Sequence, residues 1–180
     1  MTPISSPWPF AQWGIDIMGP FPLGKKQLRF LIVEIDYFTK WVEAEPMTTI
    51  TKAKVTSFVW KNIICRFGVP RVIISDNGKQ FDNPKFWKFC QDLRVKNHYS
   101  SPRHPKANDR KEAMNKSLFK IIQTWLGRAW PEELQNFLWA YRTTIRSPTG
   151  ETPFRLTFGT KAVILVEVGL TSFRVKTYED

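Results

Sequence analysis

The sequence predicts an α/β domain built on one five-stranded mixed sheet with helices on both faces. Three observations predict it. Residues 13–46 hold three β-rich runs joined by short connectors. The hydrophobic period then changes near residue 51, from alternation to steps of three and four. From there to the end of the fifth run, strands alternate with helices. A closely spaced trio implies an antiparallel meander, and helix-linked strands imply parallel additions, so the sheet is mixed and both its faces are covered.

The first strand is Trp13 to Met18, which alternates and holds Asp16 in its middle. Gly19-Pro20 and the PLGKKQ segment form a turn with Gly24-Lys25-Lys26 at its tip. RFLIVEIDYF, residues 29–38, is too apolar for an exposed edge and reads as a central strand. KWVEAEP, residues 40–46, is the third strand. TKAKVTSFVWKNIICRF, residues 51–67, is a helix with Val55, Phe58, Val59, Asn62 and Ile63 on one side, capped by Thr49 or Thr51 and stopped by Gly68 and Pro70. Residues 72–75 are a short buried strand that delivers Asp76 to its end. NPKFWKFCQDL, residues 83–93, places Pro84 early in a helix with a Phe86, Phe89, Cys90 and Leu93 stripe. Residues 95–99 are the fifth strand. Helices follow over residues 108–125 and 131–146, the second with Leu134, Phe137, Leu138 and Tyr141 inward, and TPFRLTFG closes the series. Residues 1–8 are expected to be a lead-in, 9–160 the core, and 161–180 a partly ordered extension.

The 180 residues carry 27 Lys+Arg against 16 Asp+Glu, a formal charge of +11 and a pI near 9.8. Such an excess favours a polyanionic partner, because each cation that neutralises a phosphate releases a counterion. A hydrophobic content of 42%, with eight Trp and fourteen Phe, excludes a largely disordered chain. Cys65 and Cys90 have no CxxC spacing and are expected to be reduced and buried. His98 and His104 have no cysteine pair at zinc-site spacing. No apolar run approaches the ~18 residues of a membrane span, and no secretory leader is visible. Most Trp and Phe belong to the core, with Trp8 and Trp13 as candidates for stacking on a partner.

The chemistry-bearing residues are acids in unusual places. Asp16 lies inside WGIDIM, where an ionised carboxylate is costly unless paired or metal-bound. Asp76 ends VIISD, and Glu112 sits in the first turns of the helix that opens from the loop SSPRHPKAN. Two strand carboxylates and a helix carboxylate are a pattern that can hold divalent metal for phosphoryl transfer. Taken singly, Asp76 beside Asn77-Gly78 also reads as a turn residue, and Glu112 as a solvated helix acid. Lys116 and Lys120 follow Glu112 by four and eight residues, on its helix face or simply on a solvated one. His104 reads as a loop hydrogen-bonding residue.

The segments WGIDIMGPFP, VEIDYFTKWVEAEP, FVWKNIICRFGVPRVIISDNGKQF, KNHYSSPRHPKAN, LWAYRTT and TGETPF carry a resemblance. Thirty-five residues, 77–111, separate Asp76 from Glu112. Over roughly residues 7–170 the chain resembles the catalytic core of a retroviral-type integrase, in the plant gypsy-type branch of LTR retrotransposons. The resemblance implies a ribonuclease H-like fold. It implies a DNA polynucleotidyl transferase that processes 3′ ends and transfers strands, with Asp16, Asp76 and Glu112 holding two magnesium or manganese ions. Asp36, in DYFTKW, matches the family without supplying a ligand. Lys79, Arg103, Lys106, Asn115, Lys116 and Lys120 are the expected DNA contacts. Element ends and target DNA are the expected partners, with homo-oligomers, no membrane, and work in the nucleus.

The chain departs from the family where HPKANDRKE stands for the usual HPQANGQ, a small or apolar residue, and Glu. Lys106, Asp109, Arg110 and Lys111 are the changed positions. The loss of Gly stiffens the loop-to-helix joint. These 180 residues do not include the family's upstream His/Cys zinc domain or a downstream DNA-binding domain, and the chain is expected to be a polyprotein fragment or a decaying element copy. The alternative function is a catalytically impaired remnant that binds nucleic acid or integrase partners. A ribonuclease H nuclease is the third reading, weakened because that activity normally uses an additional carboxylate.

Overall fold

A computed structural model describes Ser6 and residues 8–99 and 130–160. Glu112, Arg103, Lys106, Asn115, Lys116, Lys120, the helix expected over residues 108–125 and the 161–180 extension lie outside the described residues, as does nearly all of the 1–8 lead-in.

Five strands form one sheet: β1 (Gln12–Met18), β2 (Phe30–Asp36), β3 (Val42–Met47), β4 (Val72–Ser75) and β5 (Lys96–Tyr99). Their order is β3-β2-β1-β4-β5. The β1–β2 and β2–β3 pairs are antiparallel, and β1–β4 and β4–β5 are parallel. The mixed sheet is therefore as expected, with β1 at its centre. Helix α1 begins at Thr51, whose side chain accepts from the Lys54 N–H, and runs Lys52–Phe58. It continues in a wider π-wound stretch, Val59–Ile64, and a last turn, Cys65–Phe67, before Gly68 at φ 89° ends it. That π stretch was not legible in the apolar period. Helix α2 (Pro84–Asp92) is capped by Asn83, whose Oδ1 accepts from the Phe86 N–H. Helix α3 (Trp130–Thr143) and the short α4 (Pro153–Phe158) complete the described elements.

Both sheet faces are covered. On one, Met18, Leu31, Val33, Ile35, Val42 and Ala44 pack against Trp130, Leu134, Leu138 and Tyr141 of α3. On the other, Ile15, Ile32, Met47 and Ile73 meet Val55, Phe58 and Val59 of α1 and Phe86 and Cys90 of α2. Each large side chain buried this way contributes on the order of 1.5–3 kcal/mol. Strand alternation decides which face each β1 residue joins: Trp13, Ile15 and Ile17 turn to α1 and α2, whereas Gly14, Asp16 and Met18 turn to the α3 side.

Two expectations are corrected. Trp13 is fully buried, in a cluster with Trp41 and Ile63 against Phe10, Phe67 and Phe154, and is core rather than a stacking surface. Cys65 is exposed, because the last turn of α1 points it away from the sheet; only Cys90 is buried. Burial pushes the Cys90 thiol up to about 11, so it is protonated and inert at neutral pH.

Candidate functional site

The site is built by register. In the parallel β1–β4 pair, Trp13 lies opposite Ile73 and Gly14 opposite Ile74. Two residues further, Asp16 comes level with Asp76, the first residue beyond β4. Parallel central strands whose carboxyl ends open together are the usual place for a site in an α/β sheet. The twenty apolar-rich residues of β1, β2 and β3 fix Asp16 in place, since a one-residue slip would reverse every side chain of β1.

The loop after β4 is fixed just as firmly. Asp76 Oδ1 accepts from the Gly78 N–H at 3.0 Å. The Phe81 and Asp82 N–H groups both donate to Gly78 O, at 2.9 and 2.8 Å. Phe81 is fully buried in the core beneath α2, and the Asn83 amide donates to Gln80 O at 2.9 Å. A side chain at Gly78 would strike that of Gln80. Lys79 is exposed beside this turn, where it adds positive charge near Asp76.

Asp16 is half-buried, and its Oδ1 accepts from the Ile17 N–H at 2.7 Å. Its pKa is pushed up to about 6, first by burial and also by the negative charge of Asp76, with the Ile17 bond opposing. A half-buried carboxylate whose ionisation is opposed by burial and by a neighbouring acid is a site that a cation would relieve. Carboxylate oxygens are hard donors, and the set fits magnesium or manganese. Among the described residues no three His, Cys, Asp or Glu side chains gather closely enough to hold a metal, and Glu112 lies outside them.

Asp36 does something else. It accepts from Phe10 N at 3.1 Å, from Thr39 N at 2.7 Å and from Thr39 Oγ1 at 2.8 Å. All of this ties the β2–β3 turn to the start of the chain, and burial holds its pKa above the usual carboxylate value. Asp36 is a structural acid.

Sequence reasoning missed a second set of acids. Glu34 and Glu43 face each other across β2 and β3. Glu43 Oε1 accepts from Trp41 Nε1 at 2.7 Å and pairs with Arg66 at 2.8 Å, and its Oε2 pairs with Arg142 at 3.2 Å. Arg142, from α3, also donates to Val42 O and stacks 4.3 Å from the Trp41 ring centroid. No signal in the sequence joins residues 43 and 142. These groups hold α1 and α3 to the β3 edge and take no part in the carboxylate site.

Among the described residues no helix is long and apolar enough to cross a membrane. Residues 7–105 match the family described as "Integrase core domain". The chain is 30% identical over 164 residues to the Gag-Pol polyprotein of avian reticuloendotheliosis virus, which covers 89% of this chain and 14% of that polyprotein. It is 24% identical over 148 residues to the retrovirus-related Pol polyprotein from transposon 412 of Drosophila melanogaster, 81% of this chain and 12% of the relative. The chain thus spans about a seventh or less of these relatives. The HTLV-2 integrase catalytic core domain in complex with magnesium (trimeric form) superposes with a TM-score of 0.60 at 21% identity, over 83% of this chain and 97% of that one. The architecture is the ribonuclease H-like fold of retroviral integrase catalytic cores. By its sequence match and its sheet, the chain belongs to the integrase core domain family.

Proposed function

We propose that this domain is a metal-dependent DNA polynucleotidyl transferase that processes 3′ ends and transfers them to target DNA. The observation that carries the reading is the approach of Asp16, on β1, to Asp76, just beyond the end of the neighbouring parallel strand β4, with Asp16 held near pKa 6 by burial and by its partner's charge. Glu112, separated from Asp76 by thirty-five residues, is the third acid of the proposal. The magnesium of the HTLV-2 core supports the choice of metal. Asp16, Asp76 and Glu112 would hold it, two ions being the proposed number. When bound, such ions activate a water or 3′-hydroxyl nucleophile and stabilise the leaving oxygen of an in-line displacement.

The chain's own part is positional. The central strand fixes Asp16, and the bond from the Gly78 N–H to Oδ1 restrains the Asp76 carboxylate. Lys79 offers a phosphate contact beside Asp76. Arg103, Lys106, Asn115, Lys116 and Lys120 are the other proposed DNA contacts. Element ends and target DNA are the proposed partners, and the trimeric form of the HTLV-2 core supports self-association. A plant gypsy-type origin, a core over residues 9–160 and action in the nucleus belong to the same proposal.

The test is disintegration, the reversal of strand transfer, on a branched DNA substrate. Magnesium or manganese is expected to yield the resealed product, and EDTA to abolish it. A folded protein that binds DNA but yields no product with either metal would favour the impaired remnant and direct attention to Lys106, Asp109, Arg110 and Lys111.

A further inference from the structure

The hydroxyl of Tyr99, the last residue of β5, is a meeting point for three groups. Trp87 Nε1 donates to it at 2.6 Å and Asn97 Nδ2 at 3.1 Å, and it lies 3.2 Å from Asp82 Oδ1. A tyrosine hydroxyl offers two lone pairs and one proton. The indole and amide N–H groups can only donate, so they take the lone pairs, and the proton is left for the Asp82 carboxylate. Burial raises the Tyr99 pKa, the Trp87 bond opposes this and Asp82 adds to it, so the hydroxyl keeps its proton at neutral pH.

Asp82 carries that contact back to the carboxylate site. Its N–H donates to Gly78 O at 2.8 Å, and the Gly78 N–H donates to Asp76 Oδ1 at 3.0 Å. Gly78 thus receives Asp82 at its carbonyl and holds Asp76 with its N–H, one Cα between the two bonds. A glycine backbone resists rotation less than any other, so these bonds are what keep it in place. Buried Phe81 and the Asn83 cap fasten the far end of the loop to α2. The Tyr99–Asp82 bond fastens it to β5 as well, the strand beyond β4 in the sheet. A loop held on one side can pivot; held on two, it cannot.

We propose that Tyr99 is a positioning residue of the carboxylate site: its hydroxyl, through Asp82 and Gly78, sets the place of the Asp76 carboxylate. Its effect on catalysis rests on the reading of Asp76 as a metal-holding acid; the mechanical link from Tyr99 to Asp76 does not.

Tyr99→Phe keeps the ring and removes only the hydroxyl. In metal-free protein, in EDTA, the Gly78 amide resonance of this variant is expected to shift while that of Gly68, at the end of α1, stays where it is. With manganese, kcat for disintegration is expected to fall about tenfold, with KM for the branched DNA within about twofold of the parent. Asp82→Ala is expected to do the same. The double variant Tyr99→Phe/Asp82→Ala is expected to lose no more than about twofold beyond either single change, because both break one link. Asp82→Asn keeps an acceptor and is expected to recover to within about threefold of the parent. A Gly78 resonance unmoved in Tyr99→Phe would overturn the proposal. So would losses that multiply in the double variant, or a raised KM at unchanged kcat, which would make Tyr99 a substrate contact. A parent protein without activity would instead sink the integrase reading, and the Gly78 resonance would still decide whether Tyr99 holds the Asp76 loop.

Discussion

Asp16→Asn is expected to lower the disintegration rate by about a thousandfold or more, some 4 kcal/mol of transition-state stabilisation, while making the metal-free protein more stable. Both effects come from one carboxylate. Its folded pKa of about 6 stands above the usual 3.8 because burial and Asp76 disfavour its charge. The folded state therefore holds the proton more tightly than the unfolded chain. Above pH 6 the ionised group costs stability, and that cost fades as the pH falls from 6 toward 4. A shift of this size corresponds to at most ~3 kcal/mol. At pH 8 the Asn variant is expected to gain about 1–3 kcal/mol in urea denaturation, and at pH 4 nothing. A variant that loses activity and also loses stability at pH 8 would mean that Asp16 is a structural acid.

Glu43→Ala is expected to destabilise the domain by about 3–5 kcal/mol, and Glu34→Leu, one strand away, to stabilise it by about 1–3 kcal/mol. The two glutamates face each other, yet only one has partners. Removing Glu43 leaves Arg142, its side chain 13% exposed, without its counter-charge, and leaves Arg66 and the Trp41 indole without their acceptor. Burial already lowers the Arg142 pKa and the charge of Glu43 opposes that, so the lone cation would be costly. Glu34 is fully buried, and neither carboxyl oxygen has a hydrogen-bond partner. Burial first, then the charge of Glu43, holds its pKa well above the usual range, and its carboxyl oxygens lie in the core without partners. Leucine fills similar space without that penalty. Denaturation midpoints of the two variants should move in opposite directions; a shared direction would refute the contrast.

Much of this was legible because period and punctuation are local. The alternation of β1, the Thr51 and Asn83 caps and the stop at Gly68 each announce themselves within a few residues. Asp16 was legible as an anomaly, a charge in an apolar run. Its convergence with Asp76 depends on β4 joining the sheet beside β1 and parallel to it, which spacing alone does not specify. Glu34 escaped notice because RFLIVEIDYF reads as a strand whichever side its glutamate faces. The Glu43–Arg142 contact spans the whole fold and has no local trace. In α1 the π-wound stretch widens the turn after Val59, which brings Ile63 and Phe67 to Trp13 and Trp41 and leaves Trp60 outside. A fixed helical period cannot foretell that adjustment.

The central claim, that Asp16, Asp76 and Glu112 together hold catalytic metal, is tested most directly by calorimetric titration of manganese into the parent and into Asp16→Asn, Asp76→Asn and Glu112→Gln at pH 7.5. The account predicts binding by the parent that weakens at least about tenfold in each variant and declines below about pH 6, where Asp16 takes up its proton. Equal affinity in the parent and all three variants would contradict it.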